Sequence, residues 1–369
     1  MDLSNALLHI AAARPHVLVI GDLGTDRLRA RVEQEIDRRH WIAATAPADT
    51  DVLVVAGRPG PELMAVVDDV WATVPAPRAR VDVRAENGVA QVLDDAVSVL
   101  QDLPGQRAGA PRDGLRSARP ADPSAEHDEH DEHDGLSHGD GSGHEDHDGG
   151  HPHHGGGMEL PGGLTMADLG EDRDGLTLDR LHVALGPVLP EWPAGLVVDV
   201  VLQGDVIQEA RSHFLDADDA GAIDSLPPAA QGLQTVARVL ALAGWAGPAG
   251  RARHLRDAVL DDGADLARTL EEVDALHRRV RRSPVLRWML RSVGPGRWNV
   301  HETIAVRLGA VRTDVTGTVA DPPAGRVDLP ALDARLVGAE FAAARLIVAA
   351  SDPLSHVVSA RAVSGEDVP

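Results

Sequence analysis

One stretch divides this chain before any motif is considered. From about residue 105 to 157, Gly, Pro, Asp, Glu and His dominate, and almost no side chain could enter a core. Such a segment buries too little apolar surface to offset the entropy of ordering, and it reads as a disordered linker. The chain of 369 residues then has three parts: a domain over 1–104, the linker over 105–157 and a domain over 158–369. From Pro120 to Asp172 there is no Lys or Arg.

The first part alternates strand and helix. His16–Asp22 (HVLVIGD) and Asp51–Gly57 (DVLVVAG) are continuous β-branched apolar runs, the pattern of strands buried on both faces, and 79–83 (ARVDV) is a third strand. Thr25 is placed to cap a helix carrying Leu28, Val32 and Ile36 at i, i+4 and i+8. Pro61 opens a second helix with Leu63, Val66, Val67 and Val70 inward, and 88–101 forms a third. The expected fold is an α/β domain with a flavodoxin-like parallel sheet.

The second part changes period. Residues 178–186 and 195–214 read as strands, the latter a hairpin turning at Gln203-Gly204-Asp205. Helices follow over about 229–244, 250–281, 284–292, 300–311 and 330–350. The second of these carries Leu255, Val259, Leu266, Leu270, Val273, Leu276 and Val280 on one stripe. The expected fold is α+β, a small antiparallel sheet with a helical bundle.

Composition removes whole classes of chemistry. The chain has no Cys, no Tyr and no Lys, so all 35 basic residues are Arg. That excludes disulfides, thiolate catalysis, cysteine-held clusters, Schiff bases and the P-loop lysine. A formal net charge of -23 argues against nucleic acid as a partner. The N-terminus lacks the cationic region of a signal peptide, and no apolar run reaches the ~18 residues of a membrane span. The expected location is the cytoplasm or the cytoplasmic face of a membrane complex, with membrane association only through partners.

Two segments carry a family resemblance. DTDVLVVAGRPGPELMAVVDDVWATVPAPRARVDV (49–83) is similar to the small, cluster-bearing core subunit of complex I (NADH-quinone oxidoreductase) and of nickel–iron hydrogenases. LHVALGPVLPEWPAGLVVDVVLQGDVIQEA (181–210) looks like the N-terminal sheet of the partner large subunit, through Gly186, Pro187, Pro190, Gly204, Asp205 and Ile207. The resemblance covers roughly residues 15–100 and 160–215. The small-subunit family places cluster cysteines in the loops after the first and third main strands. This chain has Gly21-Asp22-Leu23-Gly24 and Arg84-Ala85-Glu86-Asn87-Gly88 there. After the hairpin, the large subunit continues to an Arg-Gly-x-Glu element and, in hydrogenases, a nickel Cys pair. This chain has His213-Phe214-Leu215-Asp216 and neither element. No quinone-site or nickel-site role carries over to a residue here.

Other candidate sites are few. The linker holds nine of the 18 histidines, His127, His130, His133, His138, His144, His147, His151, His153 and His154. Imidazole with carboxylate suits Ni²⁺ or Zn²⁺, and a solvating spacer is the plainer reading. His144-Glu145-Asp146-His147 misses the zincin spacing by one residue. Gly21 and Gly24 read as a tight turn rather than a phosphate loop, and Asp172-Arg173-Asp174-Gly175 as a turn with a local ion pair. Arg278, Arg279, Arg281, Arg282, Arg287 and Arg291 cluster around Trp288. They read either as a helix C-terminal cap or as a docking patch for an acidic partner, an anionic lipid or the chain's own linker.

The expectation is a fused relative of the two core subunits that carries no iron–sulfur cluster. It would act as a structural or assembly component beside membrane redox or antiporter-like subunits rather than as an enzyme on its own. A Ni- or Zn-binding accessory protein working through the linker is the alternative. A cryptic NADH-quinone oxidoreductase-type subunit, receiving clusters from elsewhere, is a further one.

Overall fold

A computed structural model describes residues 12–109, 168–171, 177–218, 225–261, 263–316 and 327–353. The first sheet contains β1 (His16–Gly21), β2 (Ile42–Ala43), β3 (Val52–Ala56) and β4 (Ala79–Val83), in the order β2-β1-β3-β4 and all parallel. Helices α1 (Asp26–Arg38) and α2 (Pro61–Thr73) connect strands, and α3 (Val89–Gln101) follows β4. Strand side chains alternate between faces. Val17, Val52, Val54 and Val83 therefore pack on Leu28, Val32 and Ile36 of α1 and Leu93 of α3. Leu18, Ile20, Leu53 and Val55 pack on Leu63 and Val67 of α2, and this second face also receives Val188 and Leu215 from the C-terminal half.

The first part thus matches the expected α/β pattern, with three differences. The two-residue β2 was not foreseen, and both of its residues are exposed. Thr25 sits at the N-cap of α1, but its side chain does not cap: Thr25 Oγ1 donates to the carbonyls of Asp22 (2.7 Å) and Ala56 (3.3 Å). Residues placed at the start of the linker continue as helix α4 (Leu103–Gly109). Gln106 ties it down, accepting from Arg78 N–H and donating to the Arg78 carbonyl, both at 2.9 Å.

The second sheet runs β5-β6-β7-β8: β5 (Asp168–Glu171), β6 (Thr177–Leu185), β7 (Leu196–Gln203) and β8 (Val206–Phe214). The β6–β7 and β7–β8 pairs are antiparallel. The hairpin turns as expected at Gly204, whose φ of +61 suits a glycine. Leu196, Val198, Val200 and Leu202 of β7 face a core shared with Trp192, Ile207, Leu332 and Ile347.

Helices complete the second half: α5 (Pro228–Leu242), α6 (Ala246–Leu260), α7 (Leu266–Arg282), α8 (Pro284–Leu290), α9 (Val300–Thr316), α10 (Leu329–Leu336) and α11 (Phe341–Ser351). Two expected long helices are each broken in two. The stripe over 250–281 is interrupted before Asp265, which caps α7 by accepting from Arg268 N–H at 3.1 Å. The segment over 330–350 breaks at Gly338, with φ +82. Its backbone joins the edge of β8: Ile207 N–H donates to Ala339 (3.0 Å) and Gly338 N–H donates to Ile207 (2.8 Å). Among the described residues no helix is long and apolar enough to cross a membrane.

Candidate functional site

In open parallel sheets, chemistry gathers beyond the carboxyl ends of the strands. Here that edge is where the two halves of the chain meet. β1 ends in a tight turn: Thr25 N–H donates to the Asp22 carbonyl at 3.3 Å, and Gly24 has φ +82. Asp22 N–H donates to Ala56 at the end of β3 (3.0 Å), and the Asp22 carboxylate accepts from Leu23 N–H at 2.7 Å. Gly57, with φ +109, closes the neighbouring loop; a Cβ there would lie 2.7 Å from Thr25 Cγ2 and 2.8 Å from Asp22 Cβ. Leu23 is buried in the core of the second sheet with Trp192, Leu196 and Phe214. A Cβ on Gly21 would touch Ala194 at 3.4 Å. A cavity between Leu23, Asp26, Pro193, Arg238 and Asp352 is about 30 Å³, room for one or two waters.

This donor set does not fit a cysteine-held cluster. The loop after β1 offers one carboxyl group, Asp22, whose pKa is raised by burial although backbone N–H groups oppose the rise. The loop after β4 offers Glu86, paired with Arg27 at 2.9 Å.

What the edge does hold is a joint. Asp216, just past β8 and buried, caps α2 from the other half of the chain. Its two carboxylate oxygens accept from Glu62 N–H (3.0 Å) and Leu63 N–H (2.9 Å), and its own N–H donates to the Glu62 carboxylate (2.8 Å). The arrangement is a capping box built from two distant segments. Gly60 is required beside it, since a Cβ would stand 2.4 Å from Asp216 Cγ.

A second joint is ionic. Arg256, on the inner stripe of α6, is fully buried. Its guanidinium donates to Glu33 of α1 (2.7 Å), to Asp257 (2.8 Å) and to Gln234. Glu33 also accepts from Arg29 (3.0 Å), which in turn donates to the Trp192 carbonyl (3.1 Å). Burial disfavours the Glu33 carboxylate, but Arg256 and Arg29 outweigh it and bring its pKa down to about 2. Burial raises Asp257 and Glu191 despite their arginine partners. Glu191 sits at φ +61 and pairs with Arg253. A cleft of about 290 Å³ opens beside these groups; of its charged lining, Arg29, Glu33, Glu191 and Arg253 are committed to these pairs, and Asp37 is exposed.

The residues singled out from sequence fall elsewhere. All nine linker histidines, and the Asp172–Gly175 turn, lie outside the described residues. Among the described residues no group of three or more His, Cys, Asp or Glu could hold a metal ion. Arg278, Arg279, Arg281 and Arg282 lie in the last turn or so of α7, and Arg287 and Trp288 on α8. All are exposed, Trp288 at 70%. Sequence reasoning missed Asp216, Glu33 and Arg256. Arg256 had a visible signal, because it shares a helical face with the small residues Ala249 and Ala252, where an apolar side chain is expected. Compared with protein-family models, curated proteins and solved structures, the chain finds no match.

Proposed function

We propose that this chain is a cofactor-free structural or assembly component of a complex I-like or hydrogenase-like membrane redox complex. In this reading it is a fused relative of the small and large core subunits, with a flavodoxin-like N-terminal domain. The observation that carries it is the carboxyl edge of the parallel sheet. The loop after β1, where the resembling family holds a cluster, carries Asp22 and Leu23, and Leu23 is buried against the second sheet. The polar groups around the edge join one half of the chain to the other. An arrangement of this kind suits a scaffold. The test is affinity purification of the full chain from native membranes, with the recovered proteins identified by mass spectrometry. Recovery of redox or antiporter-like subunits is expected. A preparation that brings down none of them overturns the reading.

The second reading is a Ni- or Zn-binding accessory protein. Nine histidines within 127–154, interleaved with carboxylates, favour it. Calorimetry on a 121–157 peptide should register more than one Ni²⁺ or Zn²⁺ at neutral pH, weakening as imidazoles protonate near pH ~6.5. Absence of binding heat or of a displacement signal leaves the segment as a spacer.

A further inference from the structure

The α7–α8 face has features that the internal joints do not use. Helix α8 is apolar on two opposite sides. Leu286 and Leu290, 0% and 1% exposed, enter the core of the helical bundle. At ~100° per residue, Trp288 lies about 180° from their mean direction. Trp288 is 70% exposed, and Val285 and Met289, 56% and 38% exposed, lie about 60° and 100° from it on one side of the helix. One side of α8 is therefore covered by the bundle, and the other carries an aromatic ring and two aliphatic side chains without cover among the described residues.

The charge around this apolar tip is one-sided. Between Asp274 and Glu302 there are seven arginines and no Asp or Glu, in a chain with 58 acidic residues. Arg278, Arg281, Arg282, Arg287 and Arg291 are exposed, and none takes part in an ion pair among the described residues. Arg279 lies over the Trp245 ring at 5.9 Å. Arg287 on α8 and Arg291 at its C-cap lie about 100° and 60° around the helix from Trp288, so charge adjoins the ring, and Arg282 ends α7 just before Ser283, which caps α8.

We propose that this face docks directly on an anionic lipid bilayer, with Trp288, Val285 and Met289 at the headgroup–acyl boundary and the arginines on lipid phosphates. Trp and Arg flanking a small apolar tip is the chemistry of interfacial anchors. The other occupants fit less well. A second copy would bring one arginine cluster against another. The linker supplies charge, with fifteen acidic residues over 120–172. Over 120–157, however, its only large aliphatic residue is Leu136, too little to cover three side chains. The net charge of -23 does not forbid approach, since beyond the Debye length of ~8–10 Å the remote acids are screened. The inference goes beyond membrane association through partner subunits and does not depend on the redox-complex reading, so either can fail alone.

The test uses the full chain and sedimentation with phosphatidylcholine vesicles, with and without phosphatidylglycerol. Binding is expected on the anionic vesicles, and loss of it at ~1 M salt, where the Debye length falls to ~3 Å. Each arginine near an anionic surface is worth about fivefold, so Arg281→Glu with Arg282→Glu should weaken partition by about several hundredfold. Trp288→Ala should weaken it by about tenfold, through lost apolar contact at unchanged charge. Circular dichroism and urea midpoints check that both variants are folded. Equal binding to neutral and anionic vesicles, absence of binding, or undiminished binding by both variants overturns the proposal. A blue shift of Trp288 emission at low salt without lipid, read as the difference from Trp288→Phe, would place the linker on this face and also overturn it.

Discussion

The ionic joint between α1 and α6 and the α7–α8 face use the same residue type for opposite ends. At the joint, arginine is buried: Arg256 is fully enclosed and donates to Glu33, Asp257 and Gln234. On the α7–α8 face, arginines stand in water beside an uncovered tryptophan. A buried guanidinium is strongly disfavoured unless its partners are in place, so it demands one geometry. An exposed guanidinium demands little and remains available to a partner. In a chain without lysine, burial and pairing decide whether a cation holds the fold together or faces outward.

The largest expected effect breaks the joint. Arg256→Ala leaves the half-buried Glu33 carboxylate with Arg29 alone, strips Asp257 of its arginine, and should cost about 3 kcal/mol in urea unfolding. A loss below about 1 kcal/mol would show that the seam does not rely on this pair. Glu33→Gln is the complementary change. The folded pKa of Glu33, about 2, lies below the ordinary 4.5, so its stabilisation is full above pH 4.5 and is lost as pH falls toward 2. The shift corresponds to about 3 kcal/mol at neutral pH. The difference between wild type and Glu33→Gln should shrink steadily below about pH 4.5. Asp22, whose pKa is raised, acts in the opposite sense but is present in both proteins and cancels in that difference. Glu191 and Asp257 are raised mainly by burial and in part by the Glu33 charge, so in Glu33→Gln they are raised less, and a smaller contribution of their own remains in the difference.

The contrast also explains what the sequence could reveal. The parallel strands were legible because Val17–Ile20 and Val52–Val55 are continuous apolar runs, and the hairpin because Gly204 interrupts two of them. The helix breaks before Asp265 and at Gly338 were not, because apolar residues recur at helical spacing on both sides of each gap. The exposed arginines were legible as a charge cluster, since the pattern is local. Asp216 and Glu33 were not, since their partners lie 154 and 223 positions away and leave no local period.

A smaller effect comes from the other joint. Asp216→Ala removes the cap on α2 and should cost about 1–2 kcal/mol. Gly60→Ala attacks the same contact from the opposite side, because its Cβ would fall 2.4 Å from Asp216 Cγ. Each change breaks the same box, so the double variant should cost less than the sum of the singles. Strict additivity in a double-mutant cycle would mean that the two residues act separately and that Asp216 does not hold α2.

The smallest expected effect sharpens the comparison. Arg281→Glu with Arg282→Glu reverses two charges at the C-terminal end of α7, where the helix dipole favours cations. Acidic residues there meet the partial negative charge of the last carbonyls, which is mildly unfavourable. They also relieve repulsion among neighbouring arginines, and Arg281 is one of the groups, after burial, that lowers the pKa of His277. These terms oppose each other at an exposed, solvent-screened surface, so net stability should change by no more than about 0.5 kcal/mol. His277 should titrate higher in the variant, which NMR of its ring protons can follow. A near-silent change in stability, beside the large loss from Arg256→Ala, is what separates an outward-facing surface from a joint. A stability loss of several kcal/mol would instead make the α7–α8 arginines part of the fold and remove the physical basis for treating that face as free to bind.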